Sequence, residues 1–67
     1  MTLKELSKTF IILKIEESNV KGILTIYARK NKGVKVWMGN IVNGKLFNFE
    51  ASTSEWNKEK NQIDISL

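Results

Sequence analysis

Aromatic rings and cations are the side chains of this chain best suited to chemistry, because the residues of common catalytic and metal sites are missing. Histidine and cysteine are both absent. Zinc sites built from nitrogen and sulfur ligands are therefore excluded, as are Ser-His and Cys-His nucleophile pairs. Neither a GxGxxG nor a GxxxxGK phosphate-binding motif occurs. We therefore expect a binding protein and not an enzyme, with no metal site and no cofactor.

Positive charge is concentrated in the middle of the chain. The 67 residues carry a formal net charge of +4. Residues 18–49 contain no acidic side chain, whereas residues 1–17 are neutral in sum and residues 50–67 are net acidic. The basic residues of the central segment are Lys21, Arg29, Lys30, Lys32, Lys35 and Lys45. Such a segment attracts phosphate and releases counterions on binding, but it also suits a surface that only keeps the protein soluble.

Two aromatic residues, Tyr27 and Trp37, are interleaved with these cations. If the two rings are neighbours across a hairpin, Arg29 and Lys35 flank them on the same sheet face. Bases of single-stranded nucleic acid can then stack on the rings while phosphates meet the cations, and each stacked base contributes about 1–3 kcal/mol. A purely structural alternative is a cross-strand aromatic pair that stabilises the hairpin by about 0.2–1 kcal/mol.

The composition favours a non-enzymatic module that binds nucleic acid, preferably single-stranded DNA or RNA, with weak sequence specificity. Lysine acts as a point charge on phosphate, whereas bidentate reading of guanine prefers arginine, and Arg29 is the only arginine. The candidate nucleic-acid-binding residues are Tyr27, Arg29, Lys30, Lys32, Lys35, Trp37 and Lys45. The alternative is a small protein-binding module, an inhibitor or adaptor of the kind that a mobile element could encode, which would bind a host protein through the same face.

Three strands and two turns between residues 23 and 49 must position these side chains. Asn43-Gly44 lies between two apolar runs and predicts a two-residue type I′ turn, in which both central residues need positive φ. Residues 31–33 fit a three-residue loop with Gly33 in the left-handed position. The three strands are therefore predicted to form an antiparallel meander.

The loop lengths predict the registers and hence the faces, because side chains alternate along a strand. Tyr27 is predicted to face Trp37, and Met38 to face Phe49. A slip of one residue, or a bulge at Gly39, would reverse part of this assignment. The predicted core face contains Ile26, Ala28, Val34, Val36, Met38, Val42, Phe47 and Phe49. The predicted outward face contains Thr25, Tyr27, Arg29, Lys35, Trp37, Ile41, Leu46, Asn48 and Glu50. Ile41 and Leu46 on the outward face are large and apolar. We therefore expect either a homodimer or the N-terminal segment to cover them.

Shorter elements are predicted on either side of this meander. Residues 2–5 match a capping box, which predicts a short helix over about residues 3–8. Residues 9–16 form a β-rich run with apolar side chains on both faces, so this strand is predicted to be central in the sheet. Residues 54–60 are predicted to form one or two helical turns, and strict alternation over 62–67 indicates a last strand.

The chain is thus predicted to be one small, mainly β domain spanning residues 1–67. A short helix, four strands, a short helical turn and a fifth strand favour a five-stranded antiparallel barrel of the SH3-like or OB-like type. The alternative is an open antiparallel sheet with the N-terminal segment packed on one side. No apolar run approaches transmembrane length, and the N terminus has no hydrophobic signal region. We therefore expect a cytoplasmic protein without a membrane partner.

Overall fold

The computed structural model describes residues 2–65 as a curled five-stranded antiparallel sheet with one short helix, which confirms the predicted fold class. The elements are α1 (Leu3–Leu6), β1 (Phe10–Glu17), β2 (Leu24–Lys30), β3 (Lys35–Val42), β4 (Lys45–Asn57) and β5 (Gln62–Ile65). The strands lie in sequence order, so β1 and β5 are the two edges of a half-barrel. The last two residues of the predicted final strand, 66 and 67, lie outside the described residues. No helix within residues 2–65 is long and apolar enough to cross a membrane.

The helix α1 begins where the capping box predicts. The hydroxyl oxygen of Thr2 accepts a hydrogen bond from the backbone N–H of Glu5 at 3.3 Å, and the hydroxyl donates to Oε1 of Glu5 at 3.1 Å. These contacts satisfy one of the amide groups that a helix start leaves without an intrahelical partner. The helix places Leu6 against the sheet with only 1% of its surface exposed.

The main hydrophobic cluster lies between α1 and one face of the sheet, which we call the helix face. It consists of Leu6, Ile26, Ile41 and Leu46, with Leu3, Phe10 and Phe49 packed against it. The opposite face, which carries Tyr27, Arg29, Val36 and Met38, is called the open face because α1 lies on the other side, although Val36 on it is fully buried. The prediction that Ile41 and Leu46 face outward is therefore wrong. The expectation that the N-terminal segment covers this apolar pair is confirmed, since both are buried beside Leu6.

The β2–β3 hairpin differs by one residue from the predicted register. Ala28 pairs with Trp37, and Tyr27 pairs with Met38. The connecting segment contains four residues, 31–34, instead of the three that were predicted. The prediction that Gly33 adopts the left-handed conformation is also wrong, because its φ is not positive. A shift of one residue moves every side chain of a strand to the other face. Trp37 consequently lies on the helix face, so the predicted Tyr27–Trp37 pair does not form, and Met38 lies on the open face.

The β3–β4 hairpin has the predicted turn. Asn43 and Gly44 have φ angles of 52° and 78°, as a type I′ turn requires. Val42 pairs with Lys45 next to this turn, as predicted.

Beyond the turn, β4 contains a bulge that the sequence analysis did not predict. The pairing skips one residue between Phe47 and Glu50, and Asn48 in that interval has a φ of 54°. Met38 therefore pairs with Glu50 and not with Phe49. The extra residue turns Phe49 to the helix face, while Phe47, which was predicted in the core, is 49% exposed.

The first strand is also placed differently from the prediction. β1 pairs only with β2, so it is an edge strand and not a central one. Ile11, Ile12 and Ile15 are consequently exposed. Apolar residues on both faces of this strand were the reason for predicting burial, but no second strand lies against it within residues 2–65.

Residues 54–60 do not form the predicted helical turns. β4 continues to Asn57, and residues 58–61 form a turn that leads into β5. Two contacts hold this segment in an extended form against β3. The hydroxyl of Ser52 donates a hydrogen bond to the carbonyl oxygen of Val36 at 2.9 Å. The backbone N–H of Trp56 donates a hydrogen bond to the carbonyl oxygen of Val34 at 2.6 Å. Trp56 also pairs with Ile63 of β5, so strand pairing overrides the local helical signal.

Candidate nucleic-acid interface

The antiparallel strand order sorts the basic residues between the two ends of the sheet. Residues 31–34 and 58–61 connect strands at one end, whereas residues 18–23 and 43–44 connect them at the other. We call the first the lysine end, defined by Lys30, Lys32, Lys35, Lys58 and Lys60. Lys21 and Lys45 lie at the opposite end, about 20 Å away for the seven residues of β2. The candidate residues Lys30, Lys32 and Lys35 are therefore brought together, and Lys45 is separated from them.

A cation and a tryptophan form the centre of the candidate interface on the helix face. Nζ of Lys30 lies 5.5 Å from the centroid of the Trp37 ring, which is within the range of a cation–π interaction. The Trp37 ring stacks on Phe49 at 5.8 Å and meets the edge of Phe10 at 5.6 Å. Trp37 is half-buried, so its position is fixed by the two phenylalanines while part of the ring remains accessible.

The lysines around this tryptophan form no salt bridge within residues 2–65. Within the described part of the chain, the single salt bridge joins Lys14 to Glu16 at 3.5 Å, away from the lysine end. Lys35 lies opposite Glu55 across the β3–β4 pair, but the two side chains do not form a salt bridge. The exposed ammonium groups of Lys30, Lys32 and Lys35 are thus available to an anionic ligand.

Arg29, another candidate residue, is tied to the 31–34 loop. Its Nη1 donates to the carbonyl oxygens of Lys30, Asn31 and Gly33 at 3.3, 3.0 and 3.4 Å. These bonds fix the loop and hold the guanidinium on the open face. Its Nε is buried and has no hydrogen-bond partner within residues 2–65. Arg29 therefore contributes positive charge to this end, but only part of its donor capacity is free for a ligand.

Tyr27 lies on the open face, apart from Trp37. Its hydroxyl donates to Oε1 of Glu16 at 3.1 Å, and Nζ of Lys14 lies 4.8 Å from its ring centroid. Burial, together with the hydrogen bond to Glu16 and the charge of that carboxylate, raises the pKa of Tyr27 above its usual value. The phenol is therefore neutral at physiological pH and already occupied by neighbours on β1.

Four residues at the lysine end were missed by the sequence analysis. Phe10 and Phe49 complete the aromatic cluster around Trp37, and Trp56 and Lys58 approach Arg29 from β4 and the 58–61 turn. The sequence carries little signal for the first pair, because their contact depends on β1 being an edge strand and on the bulge in β4. Within residues 2–65, no three His, Cys, Asp or Glu side chains lie close enough to hold a metal ion.

Comparison with known proteins gives no assignment: no family model, no curated protein and no solved structure matches this chain.

Proposed function

We propose that this protein is a non-enzymatic module of the cytoplasm that binds single-stranded DNA or RNA with weak sequence specificity through the lysine end of its helix face. The observation that carries the proposal is the placement of Lys30 over the half-buried Trp37 ring, at the end where Lys32 and Lys35 also lack salt bridges. In this arrangement one base stacks on Trp37 while neighbouring phosphates meet the lysines.

The geometry of Trp37 favours a single strand over a duplex. Its ring lies in a sheet face between Phe10 and Phe49, so only a base that has left its own stack can reach it. Unpaired bases that splay out onto aromatic side chains meet this condition, whereas paired bases inside a helix do not. Weak specificity follows because the flanking groups are lysines, which contact phosphate as point charges.

Three of the candidate residues take no part in this refined site, and the first is Arg29, whose guanidinium is held on the open face. Tyr27 lies on the open face and is bonded to Glu16. Lys45 lies at the opposite end of the sheet. The contact surface of the proposed site is therefore smaller than the set of seven residues that the sequence suggested.

The proposal is tested by titrating the protein with single- and double-stranded oligonucleotides at several salt concentrations. Neutralising about four phosphates should give a slope near −3 in a plot of log affinity against log salt, at roughly 0.7 per contact on a single strand. Tryptophan fluorescence should be quenched as a base stacks. If no oligonucleotide binds even at low salt, where the lysines attract most strongly, the proposal is wrong.

Two kinds of variant separate the ionic and the stacking contributions. Lys35→Gln should weaken binding for every sequence and reduce the salt slope by less than one unit, whereas Lys21→Gln, the same change at the opposite end, should leave both nearly unchanged. Trp37→Ala should lose about 1–3 kcal/mol of affinity without changing the slope, because stacking is not ionic. Since Trp37 packs against Phe10, its variant is compared with the parent by circular dichroism to confirm that it is folded.

A protein-binding module remains the second candidate, because the edge strand β1 exposes apolar side chains. Ile11, Ile12 and Ile15 are 37%, 38% and 44% exposed on a strand whose outer backbone groups are unpaired within the described sheet. A host protein, or a second copy of this chain, could add a strand to such an edge. Salt separates the two candidates, since association through apolar side chains and backbone hydrogen bonds weakens little as ionic strength rises.

A further inference from the structure

A second basic feature lies at the lysine end, on the opposite side of the sheet from Trp37. A hollow of about 220 Å³ is bordered by the 31–34 loop and by the start of the 58–61 turn. Its walls include Arg29, Lys32, Trp56 and Lys58, and they include no acidic side chain. The acidic residues of this region, Glu55, Glu59 and Asp64, line a neighbouring hollow instead.

The Arg29 guanidinium has the donors that a phosphate needs. Its Nη1 is engaged by the carbonyl oxygen of Lys30 and by those of Asn31 and Gly33 in the loop. The remaining edge, formed by Nε and Nη2, is one along which arginine can hold two phosphate oxygens at once. Nε is buried without a hydrogen-bond partner in residues 2–65, and an unpaired buried donor destabilises a fold. Arg29 borders the hollow, so a ligand oxygen that reached this edge of the guanidinium would supply the missing acceptor.

We propose that this hollow is a binding site for a phosphate group. Arg29 provides the fixed donor edge, the exposed Lys32 and Lys58 provide two further charges, and the Trp56 ring forms an apolar wall. The hollow has several times the roughly 30 Å³ that one water molecule occupies, so it has room for a phosphate together with part of the group attached to it. The hollow lies on the opposite side of the sheet from Trp37 and shares only Lys32 with the proposed nucleic-acid interface, so it does not require the proposed function to hold.

The test is a titration of the full-length, ¹⁵N-labelled chain with inorganic phosphate, followed by nuclear magnetic resonance at constant ionic strength. Arg29 is the only arginine, so its Nε–H signal is unambiguous, and the chain has only two indole N–H signals. We expect saturable shifts of the Arg29 Nε–H and Trp56 indole signals, with the Trp37 indole unchanged. If chloride at the same ionic strength causes the same shifts, or if phosphate causes none, the proposal is overturned.

Paired variants at the two ends of the sheet provide the matched control. The double variant Lys32→Gln/Lys58→Gln should weaken phosphate binding on the order of tenfold, because two charge-assisted contacts are lost. The double variant Lys21→Gln/Lys45→Gln removes the same charge at the opposite end and should leave binding unchanged. All four lysines are exposed, so neither variant threatens folding. Equal weakening in both variants would mean that only the net charge matters, which would overturn the site.

Oligonucleotides with and without a 5′-phosphate identify the source of the phosphate. A preference for the phosphorylated strand that disappears in Lys32→Gln/Lys58→Gln assigns the site to the end of a nucleic-acid strand. Equal affinity for both strands, with inorganic phosphate still bound, assigns it to a free phosphate compound. If oligonucleotides bind but inorganic phosphate shifts neither the Arg29 nor the Trp56 signal, this site is overturned and the proposed function stands. If phosphate shifts these signals but no oligonucleotide binds, the site stands and the proposed function is overturned.

Discussion

Gly39 faces Phe49 so closely that a Cβ atom at position 39 would lie 3.0 Å from the Phe49 Cα. The same Cβ would lie 3.1 Å from Cδ1 of Leu46 and 3.1 Å from the carbonyl oxygen of Phe47. Contacts of this length are tighter than most real Cβ contacts, and a backbone cannot rotate away as a side chain can. The close approach occurs beside the Asn48 bulge, where β4 has one residue more than β3.

We therefore expect Gly39→Ala to destabilise the protein by about 1–3 kcal/mol, because the extra methyl group overpacks this contact. Urea unfolding followed by circular dichroism measures the change. Gly33→Ala is the matched control, since its Cβ would meet the nearest atom at 3.6 Å and its φ is not positive; it should change the stability by less than about 0.5 kcal/mol. Equal effects of the two substitutions would contradict the close approach of β4 to β3.

The bulge itself can be tested at Asn48, whose φ of 54° is unfavourable for most residues. Asn48→Ala should cost about 1 kcal/mol, because alanine lacks the tolerance of asparagine for left-handed backbone. Asn48→Gly should be neutral or nearly so, since glycine adopts this conformation readily. Thermal unfolding of the two variants decides the question: a loss in Asn48→Gly as large as in Asn48→Ala would show that the backbone conformation is not the cause.

The docking of α1 predicts a large effect at Leu6, which is 1% exposed in the main hydrophobic cluster. Leu6→Ala should lower the free energy of unfolding by about 2–5 kcal/mol, as expected when a buried leucine is truncated and leaves a cavity. Val20→Ala, at a position that is 58% exposed, should change it by less than about 0.5 kcal/mol. A small effect at Leu6 in chemical denaturation would mean that the helix does not cover the sheet in solution.

The Tyr27–Glu16 contact predicts a loss of stability at high pH. Burial, the hydrogen bond to Glu16 and its charge raise the pKa of Tyr27 in the folded state above the usual value of about 10. The folded state thus stabilises the protonated phenol of Tyr27. This stabilisation is fully present below pH ~10 and is lost as the pH rises through the folded-state pKa. The parent protein should therefore lose more stability above pH ~10 than Tyr27→Phe does.

The same pKa can be measured directly, because Tyr27 is the only tyrosine. Ultraviolet absorbance of the phenolate should show titration above the usual value in the folded protein. Glu16→Gln removes the carboxylate that contributes to the shift, so it should bring the pKa closer to that value. A normal pKa in the parent protein would exclude the contact.

The features that the sequence predicted correctly depend on a few neighbouring residues. Asn43 and Gly44 tolerate positive φ, so their turn follows from local chemistry. Thr2 and Glu5 cap the helix for the same kind of reason. The β-rich and alternating apolar runs, together with the turn signals between them, were sufficient to predict five antiparallel strands and hence the fold class.

The faces of the sheet could not be predicted, because they depend on single residues in the connections. Arg29 donates to the carbonyl oxygens of Asn31 and Gly33 in the 31–34 loop. The four-residue connection that these bonds hold places Trp37 opposite Ala28. A three-residue loop would have reversed that assignment. In the same way, the bulge at Asn48 determines the sheet face on which Phe49 lies. A single asparagine is too weak a signal to predict the position of this bulge from the sequence.

The sequence predicted which types of residue form the candidate site, but it did not predict how they are arranged on the sheet. Arg29, Lys30, Lys32 and Lys35 are close in sequence, so their proximity follows from any hairpin at this position. Lys58 joins them only because β4 runs back to the same end of the sheet. That approach is a property of strand order over the whole chain and has no local signature.

The sequential order of the strands has a consequence for how fast the protein folds. Every strand pairs only with its neighbours in sequence, so most loops that must close are short and their closure entropy is small. We expect folding to be fast for an all-β protein, with hairpins forming outward from the Asn43-Gly44 turn. The bridge between Thr2 and Lys45 spans most of the chain, so α1 should dock last. Truncating Leu6 should then accelerate unfolding while leaving the folding rate nearly unchanged.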